Sequence, residues 1–383
     1  MKKSKILLSV VCGSVLFFSC KKDKEDLQDQ LTSDASKPHQ SKNQSVGFVY
    51  TLSNEVAGNK VLAYSRSADG MLSFVKAYPT LGTGTGGGLG SQGAVTLSDD
   101  NTILLAVNPG SNSVSSFTVS GKDLQLISTV PSGGILPTSV TIHDDLVYVL
   151  NAGGSGNVSG FMLDADGSLH PIDNSSRPLS SSAAGAAQVS FVQDGKAIVV
   201  TEKATNKIIS YTIDMNGMAG SMHFLTSANP TPFGFAVGMD GRIYVSEAVG
   251  GAPGASTVSS YMVGVNGVIT LIDGPNSAGE TAACWVVLTN NEKYVYATNT
   301  GSNTLSSFRA ANNGSLDILA AVAANYSVSG PIDAAMSNNS KFLYVLNSGN
   351  ESISAFAGSS DGGLEYLQTV MGLPDGAAGL AAK

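Results

Sequence analysis

Residues 294–308 read YVYATNTGSNTLSSF, and residues 343–356 read LYVLNSGNESISAF. Each stretch is an apolar strand that ends on Asn, a short Gly/Asn loop, and a second strand closing on Ser and an aromatic residue. The same unit recurs as LLAVNPGSNSVSSF (104–117), YVLNAGGSGNVSGF (148–161), IVVTEKATNKIISY (198–211) and IYVSEAVGGAPGASTVSSY (243–261), with a looser first copy FVYTLSNEVAGNKVLAY at 48–64. The closing aromatics are Tyr64, Phe117, Phe161, Tyr211, Tyr261, Phe308 and Phe356, which recur every 44–53 residues. A fixed period of this length marks a repeat architecture.

Working outward, each unit gains a strand on either side. Before it stand VTLSDDN (95–101), VTIHDD (140–145), VSFVQDG (189–195), FAVGMDG (235–241) and VVLTNNE (286–292). After it come DADGSL (164–169), MNGM (215–218), VNGV (265–268), NNGSL (312–316) and DGGL (361–364). Asp-Gly and Asn-Gly steps supply the positive φ that tight hairpins require. The body has no sustained helical period. Four short strands per unit predict an all-β, seven-bladed β-propeller. The first copy lacks a leading strand, and the C-terminal GLPDGAAGLAAK (372–383) matches the lead-in SGPIDAAMS (329–337). The C-terminal strand is therefore expected to close the ring as the innermost strand of blade 1. The predicted propeller spans 46–383.

The N-terminus reads differently. Lys2, Lys3 and Lys5 precede an apolar run from Ile6 to Phe18, shorter than the about 20 residues a membrane span needs. Residues 1–19 have the form of a secretory signal peptide. Ser19 before Cys20 resembles a bacterial lipobox, although Phe17 and Phe18 depart from its usual residues, so Cys20 is the expected lipidation site. The polar stretch 20–45 is expected to be a disordered tether. These features imply a cell-envelope protein whose only membrane attachment is the lipid, either at the outer membrane or on the cell surface. Of three cysteines only Cys284 lies in the body, so no disulfide can form there. A net charge of −8 and a pI near 4.9 exclude nucleic acid as an expected partner.

The Tyr-Val-Leu-Asn steps followed by Gly-x-x-Asn-x-Val-Ser resemble the propeller lactonase family, which includes 6-phosphogluconolactonase-like hydrolases and carboxymuconate-lactonizing enzymes. The resemblance implies an active site on the face where second strands end, here Ser53, Asn108, Asn151, Glu202, Glu247, Asn299 and Asn347. Val-Thr-Glu at 200–202 is similar to the family's Val-Asn-Glu, which makes Glu202 the candidate catalytic carboxylate. Glu247 holds the same place in the next blade, and such a pair can push one carboxyl pKa upward. The family's Arg-His before the fourth inner strand is Ala187-Gln188 here, and its Pro-His before the third is Pro137-Thr138. His143, His170 and His223 fall in a turn or on outer strands.

Gln188, Lys203, Phe233, Cys284, Trp285 and Asp333 are the candidate ligand-binding residues at that mouth. The glycine-rich run 82–88 lacks the Gly-Lys-Ser/Thr step of a phosphate loop and reads as a flexible connection overhanging the channel. Asp164-Ala165-Asp166-Gly167 lacks the glutamate of a calcium loop, and no His/Cys cluster has zinc spacing. No metal or cofactor is expected. Two functions are open: a lactonase-like enzyme that hydrolyses or forms a small lactone, and a non-catalytic propeller that binds a small molecule or a protein partner. In either case a monomer is expected.

Overall fold

The computed structural model describes residues 45–325 and 327–383. The expected signal peptide, the expected lipidation site Cys20 and the expected tether up to residue 44 lie outside the described residues. The described chain forms seven antiparallel sheets, six of four strands and one with its outermost strand in two pieces. The seven-bladed, all-β expectation holds.

The ring closes as expected. Ala378–Ala382 pairs with Ser45–Leu52, with Val49 opposite Ala382 and Leu52 opposite Ala378. Lys383 and Phe48 exchange both backbone hydrogen bonds at 2.8 and 3.2 Å. The other innermost strands are Val95–Leu97, Ile135–His143, Ala186–Val192, Pro232–Val237, Ala283–Leu288 and Pro331–Met336, in blades 2 to 7. Every adjacent pair of inner strands is in contact, including blade 1 with blade 2.

Both faces of a blade pack against neighbouring blades, so second strands such as Ile103–Asn108, Ala197–Glu202 and Phe342–Asn347 are buried at every position. That is why they read as continuous apolar runs rather than alternating ones. The serines of the recurrent motif join blades. Ser116, Ser210 and Ser260 each donate to the hairpin-glycine carbonyl of the following blade, Gly167, Gly267 and Gly314, at 2.5–2.6 Å. Blade 3 has Gly160 at that place, because a Cβ there would sit 2.9 Å from the ring of Tyr148. Tyr148 takes over the task and donates to Gly217 at 2.7 Å. The outermost strand of blade 3 breaks into Leu169–Pro171 and Arg177–Pro178; a proline has no N–H for the ladder, and both pieces end on one.

Candidate functional site

At the face where second strands end, Asn is the recurrent residue, and its work is visible. Asn108 Nδ2 donates to Ser113 and Ser115, Asn299 Nδ2 to Thr304 and Ser306, and Asn347 Nδ2 to Ser352 and Ser354, all at 2.8–3.2 Å. The acceptors are the first hydroxyls of the third strand. Glu247 occupies this place in blade 5 with the hydrogen-bond direction reversed. Its Oε2 accepts from Thr257 at 2.6 Å and Ser259 at 2.7 Å, and its Oε1 from Tyr261 at 2.6 Å. Burial raises its pKa above the usual carboxylate range, against the lowering effect of those donors.

Blade 4 lacks such hydroxyls, since its third strand begins Lys207-Ile208-Ile209. Glu202 instead accepts from the Ser180 N–H at 2.8 Å, the Ser180 hydroxyl, and Thr205 at 2.5 Å. Both glutamates are fully buried. The oxygens of both are turned to the third strand or the neighbouring loops, where protein donors already occupy them. Each carboxylate therefore carries three protein donors and has no exposed surface, an arrangement that opposes its service as a proton acceptor.

Four of the expected ligand-binding residues do come together. Lys203 Nζ lies 4.4 Å from the centroid of Phe233, and Phe233 packs on Trp285 at 4.9 Å between centroids. Cys284, Trp285 and Ala248 form one small buried cluster against Phe233. Burial holds the Lys203 ammonium below the usual lysine range, partly opposed by the nearby Cys284. Burial likewise pushes the Cys284 thiol up to about 11, against a hydrogen bond with Thr300 and the Lys203 charge. A thiol so placed is overwhelmingly protonated at neutral pH and a poor nucleophile.

What covers this cluster is the connection between blades 1 and 2, read from sequence as flexible. It is tied to most of the ring. Lys203 donates to the Gly90 carbonyl. Ser91 Oγ donates to Thr138 O at 2.8 Å, and Trp285 Nε1 donates to Ser91 O at 2.8 Å. Gln92 reaches across to blade 6, with Nε2 donating to Val286 O at 3.0 Å and Oε1 accepting from Val286 N at 3.3 Å. At the other side of the mouth Asn54 Nδ2 donates to Gly87 O and Gly376 O at 2.7 and 3.1 Å. Close approach explains the glycines: a Cβ at Gly84 would lie 2.1 Å from the backbone of Asn54, and one at Gly234 would lie 2.2 Å from Gln92 Oε1.

Gln188 and Asp333, the remaining candidates, hold one rung of the inner ring. Gln188 copies a peptide group, donating to Phe235 O at 2.9 Å and accepting from Phe235 N at 2.6 Å. Asp333 faces the next inner strand in the same way, beside the Leu380 N–H, with Oδ1 accepting from Ala334 N at 2.8 Å. Its Oδ2 has no hydrogen-bond partner among the described residues, and burial raises its pKa well above the usual range. Sequence reasoning missed Gln92, whose only signal is an amide three residues before an inner strand, whereas Gln188 lies within one. Among the described residues no three His, Cys, Asp or Glu side chains are placed to share a metal.

These features have relatives. A putative 6-phosphogluconolactonase from Bacteroides fragilis superposes with a TM-score of 0.68 at 17% identity, over 88% of this chain and 98% of that one. A periplasmic gluconolactonase from Pseudomonas aeruginosa gives 0.68 at 18% identity, over 87% and 98%. A putative 6-phosphogluconolactonase from Bacteroides uniformis gives 0.70 at 18%, over 88% and 99%. At these identities the likeness is one of fold. No curated protein matches the chain. The family model for the seven-bladed β-propeller lactonases matches residues 15–177 and 269–382, passing over blade 4 and all but the outermost strand of blade 5, the part that carries Glu202, Lys203, Phe233 and Glu247. On that match the chain belongs to the seven-bladed β-propeller lactonase family.

Proposed function

We propose that this protein is a ligand-binding member of the lactonase family, which holds a small lactone or its hydroxy acid at the channel mouth through Lys203, with Phe233 and Trp285 as its apolar platform. The observation that carries the reading is the Lys203 ammonium, seated on an aromatic face and donating to a carbonyl, that of Gly90. A ligand carbonyl or carboxylate that displaces the Gly90 oxygen inherits a charge-assisted hydrogen bond. The two glutamates are occupied by their own blades and supply no acid or base.

The N-terminal lysines, apolar run and Ser19-Cys20 support export and lipid anchoring at Cys20, in the outer membrane or on the cell surface, with residues 20–45 as the tether. Loss of labelled-palmitate incorporation in Cys20→Ser tests the anchor, and retained labelling rejects it. The proposed protein acts as a monomer.

A second reading, hydrolysis or formation of the lactone, is favoured by one observation: burial lowers the Lys203 pKa, bringing the amine closer to service as a proton acceptor. The full chain with glucono-δ-lactone and gluconate separates the readings by calorimetry and pH-stat. Binding without acid release above the spontaneous rate, weakened about tenfold in Lys203→Met, is the expected result. Turnover that Lys203→Met abolishes establishes the second reading. Binding indifferent to Lys203→Met overturns both.

A further inference from the structure

The end of the channel opposite the covered mouth is not sealed. A cavity of about 380 Å³ lies inside the inner ring, with Gln92 and Gln188 at its inner limit and the exposed turn residues Asp99 and Asn338 at its rim. Its walls are not uniform. The rung three residues before each second-strand end places Thr96, Thr141 and Ser190 opposite Leu105, Tyr148 and Val199 in blades 2, 3 and 4. The same rung carries Ala236, Val287, Ala335 and Ala381 in blades 5, 6, 7 and 1. Of these seven, Thr96, Thr141, Ser190 and Ala381 line the cavity, which runs between the hydroxyl arc and Leu380–Ala382 of the closing strand.

Those hydroxyls keep hydrogen-bonding capacity. Thr96 Oγ1 donates to Val140 O at 2.8 Å, which leaves its lone pairs. Thr141 Oγ1 accepts from Phe191 N at 3.2 Å, which leaves its proton. Ser190 Oγ lies 3.4 Å from Phe191 O, longer than an effective O–H···O bond. The arc therefore offers both donors and acceptors on one side and an apolar wall on the other, in a volume within the range of small-molecule sites. The Asp99 carboxylate at the rim disfavours anions.

We infer that this cavity is a second binding site, entered from the face opposite the glutamates, and that it takes a neutral polyhydroxylated molecule of monosaccharide size. The hydroxyl arc addresses the ligand's hydroxyl edge, and the alanines of the closing strand address its C–H face. The site does not use Lys203, so it stands apart from the lactone reading.

The test is calorimetric titration of the full chain with D-glucose, D-galactose and myo-inositol at millimolar concentration, followed by a crystal soaked with whichever binds. Ser190→Ala is the first variant, because its hydroxyl makes no good bond within the protein. Thr141→Val and its control Thr141→Ser follow. Expected are binding of at least one of the three, a loss of about tenfold in Ser190→Ala and in Thr141→Val, and near-native affinity in Thr141→Ser and Lys203→Met. No binding of any of the three overturns the inference. So does affinity unchanged in both Ser190→Ala and Thr141→Val, or a sugar found beside Lys203 rather than between Thr141 and Ala381.

Discussion

Blade 5 and blade 6 solve one problem with opposite chemistry. In blade 6 Asn299 ends the second strand and donates to two hydroxyls of the third. In blade 5 Glu247 ends the second strand and accepts from two hydroxyls of the third and from Tyr261. Hydroxyls serve as donor or acceptor by rotating one O–H bond, so the same serines and threonines accommodate either end group. A glutamate on the face where the resemblance led to an expectation of chemistry can thus be doing the work of a structural asparagine. Blade 4 shows the variant: with Lys207 and Ile209 in place of hydroxyls, Glu202 recruits Ser180 and Thr205 from neighbouring loops.

The comparison breaks most visibly in Glu247→Ala. Three hydroxyls lose their acceptor inside the ring, and a loss of about 3 kcal/mol in unfolding free energy is expected by denaturant titration. Glu202→Ala strands as many groups, one N–H and two hydroxyls, but nearer the surface, and about 2 kcal/mol is expected by the same measurement.

A pH series sharpens the contrast. Glu247 and Asp333 both have folded-state pKa values raised by burial. The folded state then binds more protons than the unfolded one above the ordinary carboxylate pKa. The contribution of these two groups is accordingly greatest at low pH and falls as pH rises through that pKa toward the folded values. Asp333→Asn is expected to raise stability by about 1 kcal/mol at pH 8 and to leave it nearly unchanged near pH 4. A difference between Asp333→Asn and wild type that does not grow as pH rises above 5 contradicts this. The smallest effect is local: Gln92→Ala is expected to speed hydrogen exchange of the 81–93 amides about tenfold, leaving the second-strand amides protected.

The ring was legible because its signals are local and repeated. Hairpin glycines, the buried runs and the closing strand needed only the sequence pattern and one missing strand to place them. The mouth was legible in part. Lys203, Phe233, Cys284 and Trp285 were named together because each sits at the start of an inner strand or the end of a second one, and topology fixes those ends at one face. The cover over them was not, since Ser91 and Gln92 find partners in blades 3, 4 and 6, far away in sequence. A glycine-rich run signals close backbone approach as readily as freedom, and only the partner Asn54 distinguishes the two. The role of Glu247 was hidden for a similar reason: a long loop moves its hydroxyl partners from five and seven residues downstream, as at Asn299, to ten and twelve.

The central claim is that the glutamates on this face tie down their own third strand and adjoining loops and do not act on a ligand. Glu247→Gln, with unfolding free energy and ligand affinity measured on the same preparation, tests it most directly. The account predicts stability lowered by about 1 kcal/mol at pH 7 or less, and affinity or turnover within twofold of wild type. Native stability with affinity or turnover lost would contradict it.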